Sequence, residues 1–427
     1  MNSKTDFSAA TRRTSFFTAA LVACVAAQTA SATDGRYREY VVGERAAGMG
    51  GAAIAIASDV DALFYNPAGL ANSRSSSLSL SANLYGIERY KTEKALDWGD
   101  DSSSSTFVSV PAAMGGVKRF SDELVGGFGV FTPKMEKRHL VTASGDRTGF
   151  THLDYNDQTV WIGPSAAWAP AGSRFSFGAG IYAIYRDYSA SESSFQRNYD
   201  TLNGAMDLQM LGALATFGVQ ADLGDGWRAG AVVETPTVRI WDDGKLSINE
   251  TVVGDPDSNM GIYTSHVRAD NHIPWQLSAG IGKAGENWSA ALDATWHPSS
   301  HYDLARWNFN GLSAAQKMHL RSVLDTSIGG EYIVAKNYPI RAGFYTAMSA
   351  VRVPDDPDET DFVTSDVDMY GFTFSVGRCD KTMGVNLGFD LAFGSGYDLD
   401  YDNAGVKRRV DSERCVFLVS VSTTYYF

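Results

Sequence analysis

The last thirteen residues of the chain, CVFLVSVSTTYYF (415–427), alternate between two kinds of side chain. Odd positions are mainly apolar and end in Tyr425 and Phe427, whereas even positions turn small and polar from Ser420 onward. A soluble β-sandwich buries such an apolar face in its core, and an outer-membrane β-barrel turns it towards lipid. An aromatic residue at the end of the chain is typical of the barrel. The alternation fits both folds, and the terminal aromatic, together with the secretory signal described next, predicts a strand of a membrane barrel.

The first residues have the features of a secretory signal. A basic head is followed by an apolar stretch over 16–27 and by the small-residue cleavage site Ala30-Ser31-Ala32. We therefore predict a signal peptide over residues 1–32. The sequence LVAC (21–24) also resembles a lipoprotein cleavage box, which would place a lipid on Cys24, but the apolar run continues past it.

Composition narrows the class of protein. The formal net charge is −13, and removal of the basic signal leaves about −15, which argues against a nucleic acid as partner. No stretch of 18 or more apolar residues follows the signal, so no transmembrane helix is expected. The 42 glycines and 12% aromatic residues suit many glycine-containing, aromatic-flanked strands.

The same alternation recurs in about fourteen segments, an even number, as single-chain bacterial barrels require. The predicted strands are 78–86, 105–119, 123–138, 152–169, 174–188, 206–222, 227–247, 264–283, 287–298, 325–336, 338–350, 367–379, 382–395 and 415–427. Short turns alternate with longer polar loops, as expected if turns face the periplasm and loops the exterior. The predicted turns are 120–123, 169–174, 223–226, 283–287, 335–339 and 378–382.

Two cysteines remain after the signal, Cys379 at a predicted turn and Cys415 at the far end of the last strand. A tilted strand of this length climbs roughly 30 Å, whereas the Cα atoms of a disulfide lie within about 7 Å. We therefore expect two free thiols.

The segment GERAAGMGGAAIAIASDVDALFYNPAGLANS (43–73) resembles the N-terminal hatch of the FadL-type transporters of long-chain fatty acids and hydrophobic compounds. Further segments, in order, look like the strands and hairpins of that family. They are 104–133, 162–185, 226–236, 273–296 and 329–345. The resemblance implies an all-β fold, a barrel of about 14 antiparallel strands plugged by a hatch, with a signal peptide at 1–32, the hatch at 33–75 and the barrel at 76–427.

The resemblance also implies a function. We expect a monomer in the bacterial outer membrane, in contact with outer-membrane lipid and lipopolysaccharide, that takes up a fatty acid or another hydrophobic small molecule by a passive, gated route. Neither enzymatic activity nor a cofactor is expected, because no activated nucleophile motif appears. A structural or secretion-partner barrel, which binds a protein rather than a lipid, is the alternative.

Gate residues are expected in two places. Pro67 restricts Asn66 to an extended conformation and makes a defined turn, so the gate candidates in the hatch are Phe64, Asn66, Pro67 and Ala68. In the family, a kink in the third strand opens the wall, and Gly127 and Gly129 in GGFGVFTP (126–133) mark the corresponding place here. The alternatives are a buried helix that only fills the barrel and a bulge that only shapes it.

A fatty acid also needs a cation for its carboxylate. The candidates are Lys134, Lys137, Arg138 and Arg341, although such residues at barrel rims commonly pair with lipopolysaccharide or water. The helical outer loop of the family is not evident at 189–205, and helical spacing occurs instead at 308–324.

Other clusters indicate less. His297 and His301 have a spacing that could bind a metal, but Pro298 argues against the helix that would align them, so no metal site is expected. The acidic loops 354–361 and 398–405 could bind calcium, although a solvated loop is the simpler interpretation.

Overall fold

The computed structural model describes residues 35–73, 75–93, 101–143, 149–195, 201–251, 253, 260–264, 266–309, 312–351, 365–401 and 407–427. The predicted signal peptide with Cys24, the acidic loop 354–361 and residues 402–405 lie outside these ranges. Nineteen strands occur in the described residues: β1 (Ser77–Thr92), β2 (Ser102–Arg119), β3 (Leu124–Ala143), β4 (Phe150–Trp168), β5 (Phe175–Phe195), β6 (Thr201–Gly224), β7 (Trp227–Glu234), β8 (Val238–Thr251), β9 (Met260–Thr264), β10 (Arg268–Ala269), β11 (Gln276–Ala284), β12 (Trp288–His297), β13 (Ser300–Phe309), β14 (Leu312–Leu320), β15 (Val323–Val334), β16 (Tyr338–Ala347), β17 (Asp366–Cys379), β18 (Met383–Tyr401) and β19 (Lys407–Tyr426).

Fourteen of these strands form one closed antiparallel ring, which confirms the predicted fold class. The ring runs β1, β2, β3, β4, β5, β6, β7, β11, β12, β15, β16, β17, β18 and β19. It closes where β19 pairs with β1, with Ser77 opposite Tyr426. Cys379 and Cys415 are both free thiols, as expected.

Connections at one end of the ring have two to six residues, and those at the other end range from five residues (196–200) to 41 residues (235–275). The short connections are 120–123, 169–174, 225–226, 285–287, 335–337 and 380–382. We call these two ends the turn end and the loop end. The short connections lie where turns are predicted from the sequence, because a turn of two to six residues reverses neighbouring antiparallel strands without disturbing their register.

Side chains on the ring point apolar groups outwards and polar groups inwards. In β19, Phe417 and Val421 are 45% and 46% exposed, whereas Leu418 and Ser422 are buried. The same outward face elsewhere carries Ile87, Phe107, Phe128, Ile181, Phe217, Leu292, Ile328, Phe372 and Leu391. The inward face carries Thr159, Thr216, Gln220, Ser278, Asp293, Ser327, Thr373 and Asn386. This arrangement is the reverse of a soluble sandwich and is that of a membrane barrel.

The sequence prediction differs from the structure at the loop end. The predicted strand 227–247 breaks at 235–237, where Pro236 lacks an N–H group, and β8 leaves the ring to pair with β6. The predicted strand 264–283 joins the ring only from Gln276 onward. The helix expected within 308–324 is wrong, because Leu312–Leu320 forms strand β14.

These extra strands build a second layer at the loop end. β9 pairs with β8, while β10, β13 and β14 form a separate three-stranded sheet. The two parts share one apolar core, which includes Tyr188, Met206, Leu246, Trp307 and Met318. Among the described residues, no helix combines the length and the apolar composition that a membrane crossing requires.

Candidate functional site

The N-terminal segment, which we define as residues 35–73, lies inside the ring. It contains the helical turn α1 (Arg45–Gly48), the helix α2 (Asp59–Tyr65) and a 3₁₀ helix (Pro67–Asn72). On one side of the ring, the N–H groups of Ala53 and Ile54 donate to the Asp293 carboxylate of β12, at 2.5 and 2.8 Å. Four strands away around the ring, the Tyr182 hydroxyl of β5 donates to the Leu63 carbonyl. Contacts with separate strands hold the segment within the lumen.

One carboxylate ties the segment to itself. Asp61 accepts hydrogen bonds from the N–H groups of Glu44, at 2.9 Å, and Ala46, at 2.7 Å. Burial raises the pKa of Asp61, and these two donors oppose the shift. Tyr65 completes the link, because its hydroxyl donates to the Val42 carbonyl at 2.9 Å.

Asn66 lies at the junction of the two helices and is fully buried. Its side-chain oxygen accepts from the Ala68 N–H at 3.1 Å, which caps the 3₁₀ helix, and Pro67 occupies the first position of that helix. Its side-chain nitrogen donates to the Ile54 carbonyl at 2.8 Å and to the Val219 carbonyl of β6 at 3.1 Å. The predicted turn thus also joins the segment to the wall.

Glycines on the inner face of the ring make room for the segment. A Cβ atom at Gly178 of β5 would lie 2.2 Å from the Ala68 nitrogen. A Cβ atom at Gly329 of β15 would lie 2.1 Å from the Met49 oxygen. Backbone therefore packs directly on backbone at both places.

A cavity of about 120 Å³ lies between the segment and the wall. Phe64 forms part of its lining, and its ring centroid lies 5.2 Å from that of Phe131 and 5.6 Å from that of Trp161. Other lining residues include Tyr37, Arg38, Ile54, Tyr65, Pro133, Lys134, Thr159, Glu234, Ile273, His297, Tyr302 and Leu320. Offset aromatic rings of this kind can hold a flat apolar ligand.

The wall beside this cavity contains an interruption. β2 and β3 pair from Arg119 opposite Val125 to Ala113 opposite Phe131. Beyond Phe131, the described parts of these two strands share no pairs, and the ladder from β3 to β4 resumes only at Lys134 after a bulge at 132–133. The cavity-lining residue Pro133 therefore lies where β3 separates from β2.

Gly127 and Gly129 lie before this interruption rather than at it. They remain paired with Val117 and Gly115 of β2. A Cβ atom at Gly127 would lie 2.8 Å from a methyl carbon of Leu63, and one at Gly129 would lie 3.2 Å from another. These two glycines thus accommodate α2, and the opening of the ladder begins at Thr132.

Three of the four predicted cations are engaged by acidic groups. The Lys134 ammonium lies 2.7 Å from an Asp157 oxygen. Arg138 lies 3.2 Å from Glu136 and above the Tyr90 ring. Arg341 donates to Glu331 at 2.7 Å. Of the four predicted cations, only Lys134 lines the cavity.

The fourth predicted cation, Lys137, is exposed on the outer face of β3, away from the cavity. His297 stacks on Tyr37 with ring centroids 4.0 Å apart and is buried. His301 lies instead beside His319 of β14. The HPSSH spacing therefore does not join its two histidines in a group of three ligands among the described residues.

Sequence reasoning missed a buried ionic cluster near the start of the segment. Glu39 lies 3.2 Å from Arg36 and 2.8 Å from Arg414 of β19, and Arg414 also donates to Glu88 of β1. Burial raises the pKa of Glu39 to about 7, and Arg36 opposes the shift. No local pattern signals this cluster, because its members come from opposite ends of the chain.

Arg38 was also missed. It lines the cavity, donates to the Ser327 hydroxyl at 3.2 Å and to the Thr346 carbonyl at 3.4 Å, and lies over the Tyr345 ring. Within the described part of the chain, no carboxylate forms an ion pair with it.

No protein-family model matches the chain, and no curated protein matches it. Solved structures do. A FadL homologue from Pseudomonas aeruginosa is 15% identical, with 92% of this chain and 100% of that chain covered and a TM-score of 0.70. The toluene transporter TodX from Pseudomonas putida is 16% identical, with 92% and 100% covered and a TM-score of 0.68. The monoaromatic hydrocarbon channel CymD is 16% identical, with 90% and 97% covered and a TM-score of 0.60. The chain therefore has the fold of the FadL homologue and of TodX.

Proposed function

We propose that this protein is a transporter of the bacterial outer membrane that takes up small hydrophobic molecules without an energy source. The observation that carries the proposal is the position of the cavity, whose wall at Pro133 coincides with the separation of β3 from β2. The outward apolar face of the ring supplies the contact with lipid and lipopolysaccharide. The fold is shared with a toluene transporter and a monoaromatic hydrocarbon channel, which supports this class of solute.

The N-terminal segment serves as a hatch in this proposal. Its contacts with separate strands of the wall keep it in the lumen, so a solute that reaches the cavity leaves through the interrupted wall. Phe64 and Trp161 line the cavity together, and Phe64 also packs against Phe131 of β3. Asn66, Pro67 and Ala68 fix the position of Phe64 in the lumen, because they anchor the end of α2 to β6.

The cavity favours a compact, uncharged ligand over a long-chain fatty acid. An engineered protein cavity of about 150 Å³ binds benzene, and the cavity here has about 120 Å³. Lys134 already contacts Asp157, a carboxylate that it shares with Arg186, so a fatty-acid carboxylate would have to compete with Asp157 for this cation. Arg38 is the cavity cation through which a fatty acid would have to bind if it does.

Binding to the purified full-length barrel tests the proposal. We expect toluene to quench or enhance tryptophan fluorescence saturably, because Trp161 lines the cavity, and oleate to bind more weakly. The variant Phe64→Ala should weaken toluene binding, whereas Phe120→Ala, which changes an exposed ring at a turn, should not. Absence of saturable binding by either ligand, or equal binding by both variants, would reject a cavity-based uptake route.

A further inference from the structure

We propose that His139, His152 and Asp154 form a binding site for a divalent transition metal such as zinc on the outer face of the barrel. The site does not depend on the proposed uptake function, since it lies on the opposite side of the wall from the cavity. Within the described residues, these three form the one group of potential metal ligands whose donor atoms all lie within 4.8 Å of one another.

The pairing of β3 with β4 brings the three side chains together. His139 of β3 is directly opposite Asp154 of β4, and His152 lies two residues before Asp154 on the same face of β4. Neighbouring and diagonal positions on one face of an antiparallel pair are within reach of imidazole side chains. No sequence spacing signals the site, because one ligand comes from a different strand.

The distances fit the coordination of a metal. His139 Nδ1 lies 2.6 Å from Asp154 Oδ1 and 3.3 Å from His152 Nε2, and His152 Nε2 lies 3.1 Å from Asp154 Oδ2. Ligand atoms bound at about 2.0–2.1 Å to a tetrahedral zinc ion are about 3.3 Å apart. The three side chains are thus close enough for one ion to reach all of them once the bond between His139 Nδ1 and Asp154 Oδ1 gives way to bonds with the metal, and the mix of two imidazoles with a carboxylate suits zinc, copper or nickel.

The site is open to solvent, so the metal can take a fourth ligand that does not come from the protein. The outward residues of β4 are apolar towards the turn end, where Ile162 and Trp168 are exposed, and polar from Gln158 to His152, before the exposed Phe150 at the loop end. The site therefore lies in a polar stretch of the outer face. The side chains of His139, His152 and Asp154 are 60%, 37% and 51% exposed, so water or an anionic group can supply the fourth ligand.

Metal binding would also stabilise the part of β3 that does not pair with β2. The half of β3 that carries His139 has lost its pairing with β2 and is held on one edge by β4 alone. A metal bound by both strands adds a link between β3 and β4 there. We therefore expect zinc to raise the protection of residues 134–143 against amide hydrogen exchange.

Calorimetric titration of the full-length barrel with zinc chloride tests the site. The protein is purified without a polyhistidine tag and freed of metal with a chelator that is then removed. We expect one zinc ion per chain in the native protein and a loss of affinity of about tenfold or more in His139→Ala and in His152→Ala. Asp154→Asn should also weaken binding, because an amide is a poorer zinc ligand than a carboxylate.

The chain offers a matched control in His301 and His319. These residues are also cross-strand neighbours, with ring centroids 4.9 Å apart, but belong to no three-ligand group in the described ranges. His301→Ala should leave zinc binding unchanged. Zinc should also protect His139 and His152 from diethylpyrocarbonate in the native protein, a readout that needs no variant. Absence of zinc binding by the native protein, or unchanged binding in the His139→Ala, His152→Ala double variant, would overturn the proposal.

Discussion

Asn66 holds three backbone groups through one side chain, so its removal should loosen the end of α2. Asn66→Ala leaves the buried carbonyls of Ile54 and Val219 and the N–H group of Ala68 without this partner. We expect the local free energy of opening to fall by about 1–3 kcal/mol, because the Ala68 N–H loses its side-chain partner, whereas the Ile54 carbonyl keeps its bond from the Gln220 amide at 3.0 Å. Native-state hydrogen exchange at Ala68 measures this change.

Asn72→Ala is the control for Asn66→Ala. Asn72 makes one side-chain bond, to Gln220 at 2.7 Å, and is half-buried. We expect a loss of about 1 kcal/mol or less. Equal effects of the two substitutions would show that Asn66 is no more important to the junction than an ordinary surface contact.

Glu39 should make the anchoring of the N-terminal segment depend on pH. Its pKa is raised by burial from the usual 4.5 to about 7, so the folded state binds a proton more tightly than the detached segment does. The contribution of Glu39 is thus most favourable below about pH 4.5 and is lost as the pH rises through about 7. Hydrogen exchange of residues 36–42 should therefore accelerate between pH 5 and pH 8, after correction for intrinsic exchange.

Glu39→Gln should abolish this pH dependence, because the amide stays neutral. Glu286→Gln changes an exposed glutamate in a turn and should retain the behaviour of the native protein. The opposite slope, with anchoring that strengthens as the pH rises, would mean that the ion pairs with Arg36 and Arg414 outweigh the cost of burial.

At the residue scale, local chemistry was readable from the sequence and distant chemistry was not. Asn66 and Pro67 stand out because a cap and the first residue of a helix are adjacent in the chain. The partnership of Lys134 with Asp157 was not predictable, because it depends on the register of β3 against β4. A lysine or arginine that the sequence offers as a ligand contact can therefore prove to be paired already with an acidic group of the protein.

At the scale of elements, the fit of the N-terminal segment against β15 can be tested with two adjacent glycines. Gly329→Ala places a methyl group 2.1 Å from the Met49 oxygen and should displace the segment. Gly330 is its matched control, because a Cβ atom there lies no closer than 3.7 Å to the Ser289 oxygen. We expect Gly329→Ala alone to raise single-channel conductance in planar bilayers. Closed channels in both variants would show that the segment tolerates the shift without opening a path.

The bulge in β3 gives the second prediction at this scale. Deletion of Pro133 removes both the extra residue and the position that lacks an N–H donor, so β3 can pair further with β2. We expect toluene uptake into vesicles to fall to the level of protein-free vesicles. Pro133→Ala keeps the chain length and should keep most of the uptake.

Both bulge variants must first show the heat-dependent gel mobility of a folded barrel. Unchanged uptake by a folded deletion variant would place the route of the solute elsewhere than in the wall between β2 and β3.

The ring strands were predictable because a period of two residues and short turns are local properties. The loop end was not. Within 308–324, the apolar spacing predicts a helix, but Met318 and Leu320 are buried on one face of β14 and pack against the core of the second layer. A few apolar residues fit either period, and the neighbouring sheet decided between them. The break at 235–237 likewise depends on where β8 finds a partner.

At the scale of the whole molecule, the outer face of the ring and the lumen place different requirements on the sequence. The outward apolar band needs only the right class of side chain at alternate positions. The lumen needs particular residues, because a buried polar group must find its partner, as Asp293 does with Ala53 and Ile54. Substitutions among apolar residues on the outer face should therefore be tolerated far better than substitutions on the inner face.

The ring closes by the pairing of β1 with β19, so it can close only after β19 has been made. β1 is synthesised first among the ring strands and β19 last, yet Ser77 must finally lie opposite Tyr426. Until the 20 residues of β19 arrive, β1 and β18 each present an unpaired edge that can join another chain. Contacts so distant in sequence also form slowly. The finished ring has no free edge at this seam, whereas a ring that still lacks β19 has two.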